Sequence, residues 1–375
     1  MDLHLVYEIG WFYWDPPREA FTVPLIHHPV VWYGILFVIG FILSYFILNP
    51  ILARFLIQIR QLSSLDIKDW PKLVDLLRTS SSPLISEILT KLDFSIRQEL
   101  KQKSKPPLTP QLQQGMLEGL NRFLQLPSAS REELQQVLEG SLASPQQTAY
   151  LLTDRLCWFA VAGTIIGARL GAVFFYDWPY FRQHPTEILK IWHGGLASHG
   201  GAIGVLLALY LYMRYIQKWI PQLTFLQLLD QVAIPSALTC CFIRLGNFIN
   251  QEIVGIPTDL PWGVLFGHPA ENVTAVPRHP VQLYEASAYL LTFLILWQMW
   301  KYQHSNQKPG VLAGMLFILG FGSRFILEFW KSNQDSIVRF SFLQTGQILS
   351  IPFIFLGIFL FWQSKRFNHY CCINE

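Results

Sequence analysis

Three arginines in this sequence fall within or at the end of long apolar stretches. Arg169 lies within Gly167-Ala168-Arg169-Leu170-Gly171, Arg244 closes a second stretch, and Arg324 sits in a third with Glu328 one turn later. A charge at the centre of a bilayer costs roughly 2.5–3.5 kcal/mol on insertion scales, so such residues face a cavity and act there. Asn247, Asn250, Glu252 and Gly255 follow Arg244 closely, and Arg278 precedes Tyr284 and Glu285. Guanidinium forks match phosphate oxygens and stay charged at any working pH. At the depth of lipid headgroups, the phosphate on offer belongs to a phospholipid. For Arg324 and Glu328, the i,i+4 spacing suits a structural ion pair equally well.

Two histidines, His193 and His199, share the segment 193–201, which also holds four glycines. That segment is too Gly-rich for a stable helix interior and is expected to be a turn lining a cavity. Its histidines could act as base or hydrogen-bond donor. No carboxylate or third histidine recurs at ligand spacing, so no metal is expected, and no motif calls for a cofactor.

The elements that would position these residues are helices in lipid. The chain has 375 residues, 51% hydrophobic and only 14% charged, with a net charge of +3. Soluble domains carry about 25% charged residues, so lipid is expected to solvate much of the surface. The weak net charge gives no footprint for nucleic acid. Seven stretches could cross a bilayer as helices: 30–53, 155–176, 200–216, 225–245, 281–300, 310–330 and 343–363. The excess of Lys and Arg next to one set of ends places the N-terminus outside and the C-terminus in the cytoplasm. With that orientation, Tyr33, His199, Arg244 and Arg278 converge near the outer headgroups.

The expected division is a leader and first span (1–55), a helical cytoplasmic insert (56–150), a six-helix core (151–366) and a tail (367–375). In the insert, Leu112, Met116, Leu120, Phe123 and Leu124 share a helical face, and Ser130 with Glu133 reads as a capping box. No motif there carries chemistry. Five cysteines lack CxxC or ligand spacing and read as core or tail residues. The N-terminus lacks the pattern of a cleaved signal peptide, so the first span is expected to stay as an anchor.

The run Arg244-Leu245-Gly246-Asn247-Phe248-Ile249-Asn250-Gln251-Glu252-Ile253-Val254-Gly255 resembles the signature of prolipoprotein diacylglyceryl transferases. The segment 193–201, the run Arg278-His279-Pro280-Val281-Gln282-Leu283-Tyr284-Glu285, Trp32-Tyr33-Gly34, Gly167 to Gly171 and Arg324 with Glu328 are similar too. Ile243 stands where the family usually has Gly, and the 56–150 insert exceeds the family's usual connection.

The resemblance implies an all-α polytopic membrane protein with seven transmembrane helices in a bacterial inner membrane, its site toward the periplasmic leaflet. It implies transfer of the sn-1,2-diacylglyceryl group of phosphatidylglycerol to the lipobox cysteine of prolipoprotein signal peptides, releasing glycerol 1-phosphate. His199, Arg278 and Tyr33 would be catalytic. Arg244, Asn247, Glu252 and Gly255 would bind phosphatidylglycerol. Arg169, Asn250, Tyr284, Glu285, Arg324 and Glu328 would support them. The alternatives are another headgroup-processing transferase, whose usual metal-binding aspartate repeat is missing here, and a transporter, against which the lack of an internal repeat speaks.

Overall fold

A computed structural model describes residues 11–23, 28–102, 104–191, 195, 197–302, 308–332 and 343–371. His193, Gly194, Arg339 and Cys372 lie outside the described residues. The leader holds strands β1 (Phe12–Trp14), β2 (Glu19–Val23) and β3 (His28–Val31), and runs into helix α1 (Trp32–Gln58). Short helices α2 (Trp70–Thr79), α3 (Pro83–Lys91), α4 (Phe94–Leu100), α5 (Pro110–Leu124) and α6 (Arg131–Val137) follow. Next come α7 (Pro145–Phe175), the short α8 (Trp178–Gln183), α9 (Ser198–Ile216) and α10 (Phe225–Ile249). Strand β4 (Val264–Phe266) and helices α11 (Val281–Tyr302), α12 (Val311–Leu327) and α13 (Thr345–Cys371) complete the order.

Among the described residues, five helical segments are long and apolar enough to cross a membrane: Trp32–Gln58, Pro145–Phe175, Phe225–Ile249, Val311–Trp330 and Thr345–Ser364. The other two expected spans form helices α9 and α11, long enough but less apolar. The described residues are mostly helical, as expected, with four short strands added. β1 pairs in parallel with β4, and β2 pairs antiparallel with β3. The leader is rich in aromatic and β-branched residues, such as Phe12, Tyr13, Trp14, Phe21 and Thr22, which suit a pleated, half-buried surface better than a helix.

The chain divides into two compact units, Met1–Leu48 with Leu229–Glu375, and Asn49–Leu228. In the first, the N-terminal half of α1 runs antiparallel to α10. A Cβ on Gly246 would lie 3.0 Å from Tyr33 Cδ2, and one on Gly40 would lie 2.8 Å from Phe242 Cβ. Further along, Ser44 Oγ donates to the Pro235 carbonyl at 2.8 Å. Asp230 caps α12 by accepting from Gly310 N at 2.6 Å and Ala313 N at 2.8 Å. α12 packs on α13, where the rings of Phe321 and Phe353 stack 4.4 Å apart.

In the second unit, α7 packs along α9. Here the structure departs from the expected Gly-rich turn from Ser198 onward, which is helix α9, while Gly195 before it keeps a turn conformation with φ of +70°. Its glycines serve contact rather than turning. A Cβ on Gly171 would lie 2.7 Å from Gly200 Cα, one on Gly167 2.7 Å from Gly204 Cα, and one on Gly163 2.5 Å from Ala208 Cβ. Small residues four apart on both helices let the backbones touch, which is how helices associate in lipid, where hydrophobic burial no longer drives them together.

The segment 62–142 builds its own core from Leu73, Leu77, Ile88, Leu112, Met116, Leu120, Phe123 and Leu134. The expected face of α5 is buried as read from its spacing. Ser130 Oγ accepts from Glu133 N at 3.1 Å, so the cap forms on that side. A buried ion pair joins Arg131 to Asp66, and Thr148 Oγ1 donates to the same carboxylate at 2.8 Å.

Candidate active site

The expected polar residues of the first unit come together where α10 ends, α11 begins and α12 gives way to a 3-10 turn, Glu328–Trp330. Arg244 Nε lies 3.1 Å from Glu285 Oε2, and Arg244 Nη1 reaches Asn247 Oδ1 at 3.4 Å. Asn247 Nδ2 donates to Glu252 Oε2 at 2.9 Å, and Asn250 Nδ2 donates to Glu252 Oε1 at 3.1 Å. Lys331 Nζ lies 2.8 Å from Glu285 Oε1 and 3.1 Å from Glu328 Oε2. One polar chain therefore joins Asn250, Glu252, Asn247, Arg244, Glu285, Lys331 and Glu328.

The Lys331 and Glu285 side chains are only 8% and 2% exposed. Charges so far out of water persist only when paired, and Glu285 has a cation at each oxygen. Arg244 keeps Nη2 without a protein acceptor among the described residues, so part of its fork can meet a ligand. The structural alternative for Arg324 is not what forms: among the described residues Glu328 pairs with Lys331 and Arg324 has no ion pair. The 3-10 turn brings Glu328 and Lys331, three residues apart, onto one side, and Glu328 is taken up by that pair.

Glu252 sits in a strained turn. Gln251 and Ile253 on either side have φ of +55° and +58°, a backbone that costs a non-glycine residue of order 1–3 kcal/mol and survives only when its surroundings hold it. They do. Glu252 N donates to the Asn247 carbonyl at 2.8 Å, Gln282 Nε2 to the Glu252 carbonyl at 2.7 Å, and Ile253 N to Glu271 Oε1 at 2.6 Å. The Gln251 side chain donates to Asp15 Oδ1 at 3.0 Å and accepts from His268 N at 2.8 Å.

The β1–β4 pairing brings the leader to this turn. Trp14 stacks on Phe248 at 4.8 Å and donates Nε1 to the Phe248 carbonyl at 3.1 Å. His268 Nδ1 lies 2.8 Å from Asp15 Oδ1. Arg18 Nη2 lies 3.0 Å from Glu252 Oε1. Burial pushes the Asp15 carboxyl up, but hydrogen bonds from His268, Gln251 and Tyr13 outweigh it and hold the group below the usual carboxylate range.

Arg278 is buried and acts as a clasp. Its Nη1 donates to the Gly255 carbonyl at 3.0 Å, and Nη2 donates to the Thr274 carbonyl at 3.2 Å and to Thr274 Oγ1 at 3.0 Å. Gly255 has no room for a side chain, because a Cβ would lie 2.8 Å from both His279 Cβ and Val281 Cγ2. Tyr284 accepts from Trp262 Nε1 at 2.8 Å, and its hydroxyl lies 3.2 Å from His279 Nδ1. Tyr33 packs on Gly246, between Arg244 and Asn247 in sequence.

Arg169 and His199 belong to the second unit. Arg169 is buried, and its guanidinium binds the carbonyls of Glu187 (2.5 Å), Ile188 (3.0 Å), Lys190 (3.2 Å) and Gly195 (3.1 Å). It is stacked 4.9 Å over the Phe181 ring. A guanidinium so engaged holds the backbone of Glu187 to Lys190 against that of Gly195. His199 is exposed on the first turn of α9.

Sequence reasoning singled out neither Lys331 nor Arg18, and gave Asp15, Gln251, His268 and Gln282 no role. For Lys331 a signal existed in its three-residue distance from Glu328. For the leader residues there was none, because their partners lie more than 200 positions away.

The family model for prolipoprotein diacylglyceryl transferase matches residues 135–363. A phosphatidylglycerol–prolipoprotein diacylglyceryl transferase of Protochlamydia amoebophila (strain UWE25) is 56% identical over 97% of this chain and 98% of its own length. Enzymes of the same name from Tolumonas auensis and Chlamydia pneumoniae are 46% and 44% identical over 57% and 54% of this chain, covering 79% and 70% of their own lengths. The first alignment spans the 56–150 segment, and the family model begins near its end. Coverage of this extent, together with the polar chain around Arg244, establishes that the chain belongs to the prolipoprotein diacylglyceryl transferase family.

Proposed function

We propose that this chain transfers the sn-1,2-diacylglyceryl group of phosphatidylglycerol to the thiol of a lipobox cysteine in a prolipoprotein. The products are a thioether and glycerol 1-phosphate. The observation that carries this reading is the linked set Arg244, Asn247, Glu252 and Glu285 in a chain 56% identical, over nearly its whole length, to a transferase named for that reaction.

The chemistry is displacement at a saturated carbon. A sulfur–carbon bond forms, the carbon–oxygen bond to the phosphate breaks, and the electron pair leaves on the phosphate oxygen. A free thiol has a pKa near 8.5 and attacks well only as thiolate. The departing phosphate gains charge, which fixed cations in a low-dielectric site stabilise strongly. Arg244 is assigned to the lipid phosphate, with its open Nη2 as the contact. Glu285 and Asn247 fix its orientation, and Glu252 fixes Asn247.

Arg278 is assigned to the departing glycerol phosphate, which it serves while clasping the Gly255 turn. Tyr33 is assigned to the lipid ester region and His199 to the thiol proton. Asn250, Tyr284, Arg324 and Glu328 are assigned to support of the site, and Arg169 to holding the backbone that follows α7. The chain is placed as a seven-span protein of a bacterial inner membrane, N-terminus outside, with 56–150 in the cytoplasm and chemistry at the periplasmic leaflet. The five apolar helical segments and the helical α9 and α11 support that count.

The test uses purified full-length protein in detergent with phosphatidylglycerol and a lipobox peptide, read by intact mass. The peptide is expected to gain one diacylglyceryl group, and a peptide with Ser for the lipobox Cys to gain none. A gain that does not require the thiol, or no gain with a control transferase active, would reject the reading.

A further inference from the structure

Helices α7 and α9 carry a second group of cations, at the ends remote from Arg169. Arg155 precedes Arg169 on α7 by a stretch of helix about 21 Å long. Tyr212 Oη donates to the Leu152 carbonyl at 2.9 Å and sets the register of the two helices there. Just beyond, Tyr215 and Trp219 pack edge to face with their centroids 5.1 Å apart. The Arg155 guanidinium lies 5.8 Å from the Tyr215 centroid and 5.1 Å from that of Trp219. Lys218 Nζ shares the first of these rings, 5.7 Å from the Tyr215 centroid.

Aromatic faces attract these charges but offer no lone pair to an N–H donor. Arg155 Nη1 is buried and has no hydrogen-bond partner. Lys218 is exposed, and among the described residues it makes no hydrogen bond or ion pair. The last carbonyls of α9 are engaged by backbone: Met213 accepts from Gln217 N and Ile216 from Trp219 N, both at 2.9 Å. Across 145–160 and 210–224 the cations are Arg155, Arg214 and Lys218, and Asp154 is the one acid. Two cations on one ring repel, and a buried guanidinium N–H without an acceptor has a desolvation cost. An anion between them relieves both. Depth selects which anion: Tyr and Trp gather at the membrane interface, and Trp158, one turn from Arg155, is 76% exposed. The phosphate at that level belongs to a phospholipid, and basic pockets between spans hold anionic headgroups.

We propose that these ends of α7 and α9 form a binding site for an anionic phospholipid, its phosphate seated between Arg155 Nη1 and Lys218. The site lies in the leaflet opposite the one assigned to the chemistry, so the lipid held here is not consumed. It supplies the counter-ion that the protein leaves out and fastens the α7–α9 pair where the close glycine contacts have ended. The inference goes beyond the transferase reading: it needs α7 and α9 to cross a bilayer but none of the transfer chemistry.

The experiment titrates the delipidated full-length protein in detergent with phosphatidic acid or phosphatidylcholine and counts retained lipids by native mass spectrometry. Phosphatidic acid carries the phosphate without the headgroup glycerol of the donor lipid or the offsetting cation of choline. Wild type is expected to hold one phosphatidic acid about tenfold more tightly than phosphatidylcholine, given two cations at the site. Lys218→Gln should weaken that preference about fivefold, and Arg155→Gln combined with Lys218→Gln should abolish it. Arg155→Lys should keep part. A folded Arg244→Ala should keep all of it, which separates this site from the donor-lipid site. No preference in wild type would overturn the proposal, as would a preference unchanged in the folded double variant or lost in Arg244→Ala. Were the double variant to misfold, Lys218→Gln, which alters an exposed side chain, would still decide. Displacement of the lipid by inorganic phosphate would reveal a soluble-anion site and reject the phospholipid. The titration contains no peptide, so an absence of transfer would sink the transferase reading and leave this one standing.

Discussion

Lys331 is where a single substitution should be most revealing. Its ammonium sits between Glu285 and Glu328 and is almost wholly buried. Lys331→Ala strands two carboxylates, and breaking a buried pair by removing one partner costs about 3–5 kcal/mol. The expected result is a lower melting temperature in detergent together with lost transfer, since Glu285 can then no longer hold Arg244 correctly. Lys331→Arg should keep most of both. An unchanged melting temperature in Lys331→Ala would remove the residue from this role.

Asp15 supplies a dependence on pH. Its carboxyl is held below its usual range in the fold, against about 3.9 when free. The stabilisation is therefore fully present above pH 4 and is lost as pH falls through the lowered folded value. The charged and titrating groups facing it are His268 and Tyr13. Trp14, stacked on Phe248, reports the state of the leader. Its fluorescence is expected to shift in acid below pH 4 in wild type and to lose that transition in Asp15→Asn. A transition that persists in Asp15→Asn would show that another group drives it.

At the scale of elements, the contact between α7 and α9 makes a sharp contrast between neighbouring glycines. A Cβ on Gly200 would meet the α7 backbone, with Gly171 Cα 2.7 Å away, whereas one on Gly201 would find its nearest atom 3.5 Å off. Gly200→Ala is expected to push the helices apart and lower the melting temperature. Gly201→Ala should be neutral or slightly stabilising, because Ala exceeds Gly in a helix interior by about 0.5–1 kcal/mol. Equal effects from the two would reject the close contact.

This pair of helices also marks a limit of sequence reading. Four glycines within nine residues suggested a turn, yet the pattern that matters is the repeat of small residues every four positions on two helices. Recognising it required knowing that the helices are partners. Apolar periodicity and length sufficed for α1, α7, α10, α12 and α13. The three-residue strands β1 and β4 were invisible, because a parallel pairing of Phe12 with Val264 leaves no local signal. Arg169 was legible as an unusual charge in an apolar stretch, but its backbone partners were not.

On the scale of the whole molecule, the 62–142 segment is a packed body with its own core, in which Leu120 and Met116 are fully buried. Leu120→Ala should cost about 2–5 kcal/mol through lost burial and a residual cavity. Faster hydrogen exchange confined to α2–α6 is the expected readout. Exchange unchanged there would show that the segment is not a cooperative unit. Its presence in the Protochlamydia amoebophila relative, over an alignment covering 97% of this chain, suits a built-in part more than an accidental insertion.

The central claim is that Arg244 and its partners handle the phosphate of the donor lipid. The most direct measurement compares wild type with Arg244→Ala, both purified in detergent and shown to be folded, in the presence of phosphatidylglycerol and lipobox peptide. Wild type is expected to give a peptide heavier by one diacylglyceryl group, with glycerol phosphate released, and Arg244→Ala to give no detectable product. Normal transfer by Arg244→Ala would contradict it.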